Sequence, residues 1–265
     1  MQQALLWAAL GPGFTFLMTT LGSASVFLFR GKKNALAQRI FLGFAAGVMI
    51  AASVWSLLIP ALERAEEAGQ LPLVPAIGGF VLGVAFLMAV HRLLPHGHVE
   101  GKGSEGMPAP RAWGRPMLLF TAMTIHNIPE GMSVGLLFAM AGLENDPVML
   151  GLAIALALGM GLQNIPEGAA VSLPLYQEGV SAPKAFAMGA FSGIMEPVFG
   201  ISAVLLASVI APYMPWLLAF SAGAMMFVVV EELIPEAHLG EQANVGTIAV
   251  LVGFLIMMTL DVALG

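Results

Sequence analysis

Eight stretches of this chain, each about twenty residues or longer and almost free of charge, narrow its environment to one. They run roughly over residues 4–29, 40–62, 72–94, 116–141, 148–175, 184–211, 216–236 and 243–264. Crossing a bilayer's hydrocarbon core takes about 20 apolar residues in a helix, and every backbone N–H and C=O there must be bonded internally. The pattern predicts an all-α integral membrane protein with about eight transmembrane helices forming a single domain over residues 1–265. Composition agrees: 58% of the residues are hydrophobic, 10% are charged, and mean hydropathy is +0.90, whereas soluble domains carry about 25% charged residues. The opening MQQALLWAAL lacks a basic region and its apolar run continues to about Phe29, so it is expected to be a first span rather than a cleaved leader. Cysteine is absent, which removes disulfides, thiolate metal sites and cysteine catalysis. Nothing in the chain points to nucleic acid.

Most connections are short. The exception is HGHVEGKGSEGMPAPRAWGR, residues 96–115, whose Gly, Pro and polar content reads as a mobile loop. Alternating eight spans puts Arg30, Lys32, Lys33, Arg39, Arg92, Lys102, Arg111, Arg115 and Lys184 on one face and Arg64 alone on the other. The positive-inside rule makes the nine-residue face cytoplasmic. The His-containing loop at about 95–115 is then cytoplasmic, both termini lie outside, and the cell membrane is the expected location.

The chain also resembles itself. HNIPEGMSVGL in the fourth span matches QNIPEGAAVSL in the fifth, and AAGVMIAASVWSLLIP (45–60) resembles SAGAMMFVVVEELIP (221–235). Members of each pair run in opposite directions, which predicts a 3+2+3 arrangement with inverted repeats, a layout that places binding sites near the midplane.

Five glutamates, Glu130, Glu167, Glu196, Glu231 and Glu232, fall well inside these spans. Each would cost at least ~2.5 kcal/mol at mid-bilayer, and no Lys or Arg lies deep enough to pair with them. Protons or metal ions must supply the counter-charge. Spacing favours metal. His126 and Glu130 stack one helical turn apart, Asn127 flanks them, and Gln163, Asn164 and Glu167 repeat the geometry. Pro129 and Pro166 each lack an N–H and free a carbonyl near Ile125 and Leu162, while Gly131 and Gly168 are expected to let the two helices approach. One imidazole, two carboxylates and three carboxamides at one depth suit first-row divalent cations such as zinc. A lone buried His is often only a hydrogen-bonded core residue, and a lone Pro only a kink; the duplicated block outweighs both.

HNIPEG followed by QNIPEG, after a His-bearing loop, resembles the ZIP family of divalent metal transporters, most closely its bacterial short-loop branch. FAAGVMIAASVWSLLIPALE, SGIMEP, EELIPEAH and LDVALG extend the likeness over nearly the whole chain. The resemblance implies two metal positions. One would use His126, Glu130, Gln163 and Glu167 with Met49 and Glu232; the other Asn127, Glu130, Asn164, Glu167 and Glu196. Some relatives carry Asp in place of Asn164, so the second ion should be held less tightly here, and some carry His in place of Glu231, which leaves that residue's role open. Ser56 and Glu63, toward the outer end of the second span, would belong to the entry path. The resemblance further implies a homodimer in which spans one, four, five and six slide against two, three, seven and eight.

His91, His96 and His98 sit at or beyond the cytoplasmic end of the third span, where they either capture released metal or are incidental loop histidines. His238 with Glu236 has the same two readings, and Asp261 near the outer end of the last span reads as interfacially solvated. The expected activity is alternating-access import of zinc and related cations (Fe, Mn, Co, Cd) as substrates, without a required cofactor, and with carboxylates able to exchange protons for metal. A membrane-embedded hydrolase is the main alternative, but no HExxH motif is present; a metal-gated proton pathway is another. Sidedness is directly testable because any introduced cysteine is unique. Ser104→Cys is expected to react with a membrane-impermeant maleimide only from the cytoplasm and Gln70→Cys only from outside; the opposite pattern would invert the topology.

Overall fold

A computed structural model describes residues 2–28, 35–93, 96–97, 104–105, 115–177, 179–237 and 243–264. The described chain is all-α apart from a small hairpin in the long loop, where His96–Gly97 pairs antiparallel with Ser104–Glu105. Eight helical spans follow in order: α1 (Gln2–Ser23, continued by Ser25–Leu28), α2 (Ala35–Ala52 and Ile59–Glu67, joined by a π-helical turn at Ser53–Leu58), α3 (Leu73–Leu93) and α4 (Arg115–Glu144). Then come α5 (Pro147–Gln177), α6 (Ala182–Ser192, Met195–Leu205 and Ala207–Ile210), α7 (Met214–Val228 and Ile234–Ala237, joined by a π-helical turn at Val229–Leu233) and α8 (Ala243–Leu264). Among the described residues six of these qualify as membrane spans on length and hydropathy alone; α1 and α4 do not. In α4 the apolar character is diluted by His126, Asn127 and Glu130, which the fold buries rather than shows to lipid.

The ends of the helices follow local rules. After α2, Gly69 takes a left-handed φ of 67°, so that the Gln70 N–H bonds the Ala65 carbonyl and the Gly69 N–H that of Glu66. Between α4 and α5, Asn145 has φ 55° and Asp146 Oδ1 accepts from the N–H groups of Val148 (2.9 Å) and Met149 (3.3 Å). That N-cap, followed by Pro147, starts α5 tightly against the end of α4.

One expectation is revised here. The sixth span is not one helix: it breaks at Gly193. Pro197 offers no N–H to the Gly193 carbonyl, which accepts from the Glu196 N–H at 3.1 Å instead. Pro129 and Pro166 do not interrupt their helices, since α4 and α5 run unbroken through them. The irregular turns lie in α2 and α7, where the Ile59 N–H bonds the Val54 carbonyl and the Ile234 N–H bonds that of Val229, each five residues back. Both π-turns end in Leu-Ile-Pro (58–60 and 233–235), within the two segments that resemble each other in sequence.

The most extensive helix pairings are α1 with α5, α4 with α6, α2 with α8 and α3 with α7. Glycines hold all four seams at backbone contact. A Cβ on Gly168 would strike the Thr19 carbonyl (α5 on α1), one on Gly131 the Glu196 backbone (α4 on α6), one on Gly47 the Val250 carbonyl (α2 on α8), and one on Gly83 the Phe220 carbonyl (α3 on α7). Gly131 and Gly168 therefore seat α4 and α5 against α6 and α1, not against each other as their duplicated position suggested. Further contacts, of α4 with α5, of α1 with α4 and α6, and of α7 with α2, group these pairs into two sets, α1/α4/α5/α6 and α2/α3/α7/α8, which meet where α5 lies against α2 and α8 and α4 against α7. Contact across that boundary is softer: at Gly159 the neighbours are the side chains of Met257 and Val48.

Gly47→Val is expected to lower the thermal unfolding temperature in detergent sharply, since overpacking costs about 1–3 kcal/mol or more. Gly13→Ala, where an added Cβ meets nothing within 4 Å, should be neutral or stabilising by up to about 1 kcal/mol. Equal effects would refute the seam assignment.

Candidate metal centre

The duplicated motifs meet between α4 and α5. Gln163 Nε2 donates to Glu130 Oε1 at 3.0 Å, which ties one motif to the other. His126 Nε2 lies 3.2 Å from Glu232 Oε1, delivered by the π-turn of α7. Asn164 Nδ2 donates to Glu196 Oε2 at 2.7 Å and to the Thr15 carbonyl at 3.1 Å. Asn127 Nδ2 donates to the Ser192 carbonyl at 2.9 Å, exposed where α6 approaches its break. Glu130 stands within electrostatic reach of Glu167 and Glu196, and Glu167 within reach of Glu196 and Glu232.

Burial makes this arrangement costly. His126, Asn127, Glu130, Gln163, Asn164, Glu167 and Glu196 are all 3% exposed or less. The amide hydrogens of Asn127, Gln163 and Asn164 point at fixed acceptors, so their oxygens turn elsewhere. Asn127 Oδ1, Glu130 Oε2, Gln163 Oε1, Asn164 Oδ1 and Glu167 Oε2 are buried without a hydrogen-bond donor, and each such atom costs about 1–3 kcal/mol, more for a charged group. No Lys or Arg occurs anywhere from residue 116 to 183 to offset them. Among the described residues no three His, Asp or Glu side chains close into a ready-made metal cluster; the donor set is instead carboxylate, imidazole and carboxamide spread over α4, α5, α6 and α7. A hard-to-borderline divalent cation is what such a set can coordinate.

Comparison with known proteins agrees with this chemistry. The model of the ZIP zinc transporter family matches residues 96–261. The human zinc transporter ZIP11 is 36% identical, with 97% of each chain covered. The zinc transporter GufA of Myxococcus xanthus is 37% identical over 93% of this chain and 94% of its own. ZIPB of Bordetella bronchiseptica is 37% identical over 98% of this chain and 82% of its own. The chain belongs to the ZIP family. These relatives are named as transporters, not enzymes, and the eight helical spans make this ZIP protein a multi-pass membrane protein.

The fold brings together most, but not all, of the residues singled out from the sequence. Glu130 pairs with Gln163, His126 with Glu232 and Asn164 with Glu196, and Glu167 stands within electrostatic reach of Glu130, Glu196 and Glu232. Met49 of α2 is buried, 1% exposed, and a second buried thioether, that of Met160, lies beside the site with its Sδ 3.2 Å from Gln163 Nε2. Glu231 is exposed beside its paired neighbour Glu232. Glu63 is exposed at the far end of α2, whereas Ser56 is fully buried. Ser56 Oγ donates to Asp261 Oδ1 at 2.6 Å, and Asp261, 2% exposed, is not solvated at an interface as its position near a helix end implied. The side chains of His91 and His96 and the whole of His98 and His238 lie outside the described residues, as does the side chain of Glu236. Sequence reading missed Thr19, whose Oγ1 donates to Glu196 Oε1 at 3.0 Å; only its place four residues from Thr15 and Ser23, as a polar stripe on an apolar helix, signalled it.

Asn164→Asp would set a second carboxylate against Glu196 in place of a donated hydrogen bond. The metal-free variant is expected to lose about 1.5–3 kcal/mol of stability, and zinc should raise its unfolding temperature in detergent more than it raises that of the parent chain. An equal response would mean that Asn164 does not face the ion.

Proposed function

We propose that this ZIP protein carries zinc and related divalent cations across the cell membrane into the cytosol through the centre formed by α4, α5, α6 and α7. The observation that carries this reading is the surplus of buried acceptor oxygens on helices that carry no Lys or Arg from residue 116 to 183. A proton can neutralise a carboxylate, but it cannot satisfy the carbonyl oxygens of three carboxamides; a cation takes both. The relatives' names, all zinc transporters, favour the same cargo.

The donor set accommodates two ions. His126, Glu130, Gln163, Glu167 and Glu232 would hold the first, and Asn127, Asn164, Glu167 and Glu196 the second, with Glu130 or Glu167 bridging. Neutral Asn at both second positions supports a second ion held less tightly than the first. Ser56, Asp261 and Glu63 lie along α2 and α8 on the side proposed as external, and would attract and pass on an arriving cation, Glu63 from the surface and Asp261 from inside.

Movement follows from how the helices are joined. Most ligands sit on α4, α5 and α6, three of the four helices in one glycine-seamed set, and would travel together against α2, α3, α7 and α8. Glu232 belongs to the other set, so sliding would break its contact with His126 and loosen the first ion. At the outer ends, Arg64 Nη2 of α2 reaches Asp146 Oδ2 of the α4–α5 turn at 3.5 Å, a part-buried link across the sets whose length makes it weak enough to open and close. A homodimer through the α2/α3/α7/α8 set fits the apolar face of α3, where Leu73, Val74, Ile77 and Val81 are exposed.

Radioactive zinc uptake into proteoliposomes tests this. Glu130→Ala and Glu167→Ala are each expected to reduce the initial rate at least about tenfold, a loss of roughly 1.4 kcal/mol or more. Undiminished uptake in both variants would show that the cation travels elsewhere.

A further inference from the structure

An apolar cleft of about 490 Å³ opens between α5 and the first turns of α2 and α8. It is lined by Phe41 and Phe44 of α2, Leu162 and Pro166 of α5, and Ile248 and Val252 of α8, with no polar side chain. Its volume is that of a ligand pocket, yet it has none of the convergent polar groups that would orient a small polar molecule. From Val245 to Val252 it runs roughly 10 Å along α8 at 1.5 Å per residue, which suits an extended hydrocarbon chain. It also lies across the boundary between the two helix sets, since α5 belongs to one and α2 and α8 to the other.

The charge at its mouth says which lipid. Arg39, half-buried, directly precedes Ile40, itself part of the lining. In sequence the same connection carries Arg30, Lys32 and Lys33. A Lys/Arg cluster directly beside a membrane helix attracts anionic headgroups, at about 1 kcal/mol per residue near the surface. On the α2 side the charge is of one sign, since no Asp or Glu occurs between residues 1 and 62; on the α8 side Glu236 and Glu241 precede the helix in sequence, and within the described part of α8 the first acidic residue is Asp261.

We infer that this cleft is a binding site for an anionic phospholipid, with one acyl chain seated between α5 and the α2/α8 pair and the phosphate held at Arg39. Such a lipid touches both helix sets at once. It therefore acts as a wedge whose fit depends on their relative position, and this last consequence rests on the sliding reading above.

Binding itself is tested without any metal, which separates it from the transport proposal. The protein is reconstituted in vesicles containing phosphatidylglycerol or phosphatidylcholine with a diazirine in the acyl chain, at equal mole fraction, and labelled peptides are quantified after irradiation. Peptides covering residues 162–166 and 245–252 are expected to be labelled about fivefold more by phosphatidylglycerol, while the outward face of α3 at Leu73 and Val74 is labelled equally by both. Arg39→Gln should bring the ratio at the cleft to about one. Val252→Trp, filling the cleft from a half-exposed position, should cut labelling of residues 162–166 by either lipid. Equal labelling of the cleft by the two lipids in the parent chain would make it ordinary boundary lipid and overturn the site, as would a preference that survives Arg39→Gln.

Discussion

Buried oxygen without matching positive charge is the constraint around which this molecule is arranged. In lipid, a carboxylate or amide oxygen without a donor carries nearly its full desolvation cost, and this chain concentrates five such atoms between α4, α5 and their neighbours. Two irregularities of the backbone bring a side chain to that depth. The break in α6 begins a new helix with Glu196 in its first turn, against Thr19 and Asn164. The π-turn of α7 carries Glu232 to His126. The capped turn at Asp146 fixes the mutual register of α4 and α5, and with it the bond between Gln163 and Glu130. A regular eight-helix bundle of the same composition would be easier to insert and would have nothing to hold a cation with.

Much of this was legible in the residues, for physical reasons that also mark where legibility stops. Hydropathy marks the stretches whose side chains can lie in hydrocarbon, and there a helix satisfies its own backbone, so the eight spans could be read directly. The four-residue spacing of His126 and Glu130, repeated at Gln163 and Glu167, is a statement about one helix face and survives any packing. Which helix opposes that face is a different matter. Gly131 and Gly168 announced close approach but not to whom, and the partners proved to be α6 and α1. Thr19 and Glu196 are 177 positions apart, and nothing local links them. Asp261 sits near a helix end, where depth depends on how α8 lies against α2, so its bond to Ser56 was invisible. Met160 illustrates the same limit: with 18 methionines in the chain, type alone did not single out the one whose sulfur touches Gln163.

The prolines teach a finer point. Those in the central motifs drew attention because they stand beside the glutamates, yet α4 and α5 absorb them without interruption. Pro60 and Pro235, which follow the matched Leu-Ile pairs, are the ones preceded by π-turns. A wide turn relocates the missing donor by adding a residue to the loop of hydrogen bonds, and it does so at equivalent points in two antiparallel helices. That correspondence relates α2 to α7 on conformational grounds, separate from the likeness of their sequences.

The distribution of glycine between the seams has a bearing on how such a chain can vary. Where backbone meets backbone, as at Gly47 and Val250 or Gly83 and Phe220, the joint behaves as a weld: any side chain opens it, and the two helices must drift together through evolution or not at all. Where Gly159 faces Met257, an unbranched thioether can adapt its shape to its neighbour, more like a soft liner. Substitution should therefore be tolerated unevenly, with the welds holding each half to a fixed shape while the liner is free to be re-cut.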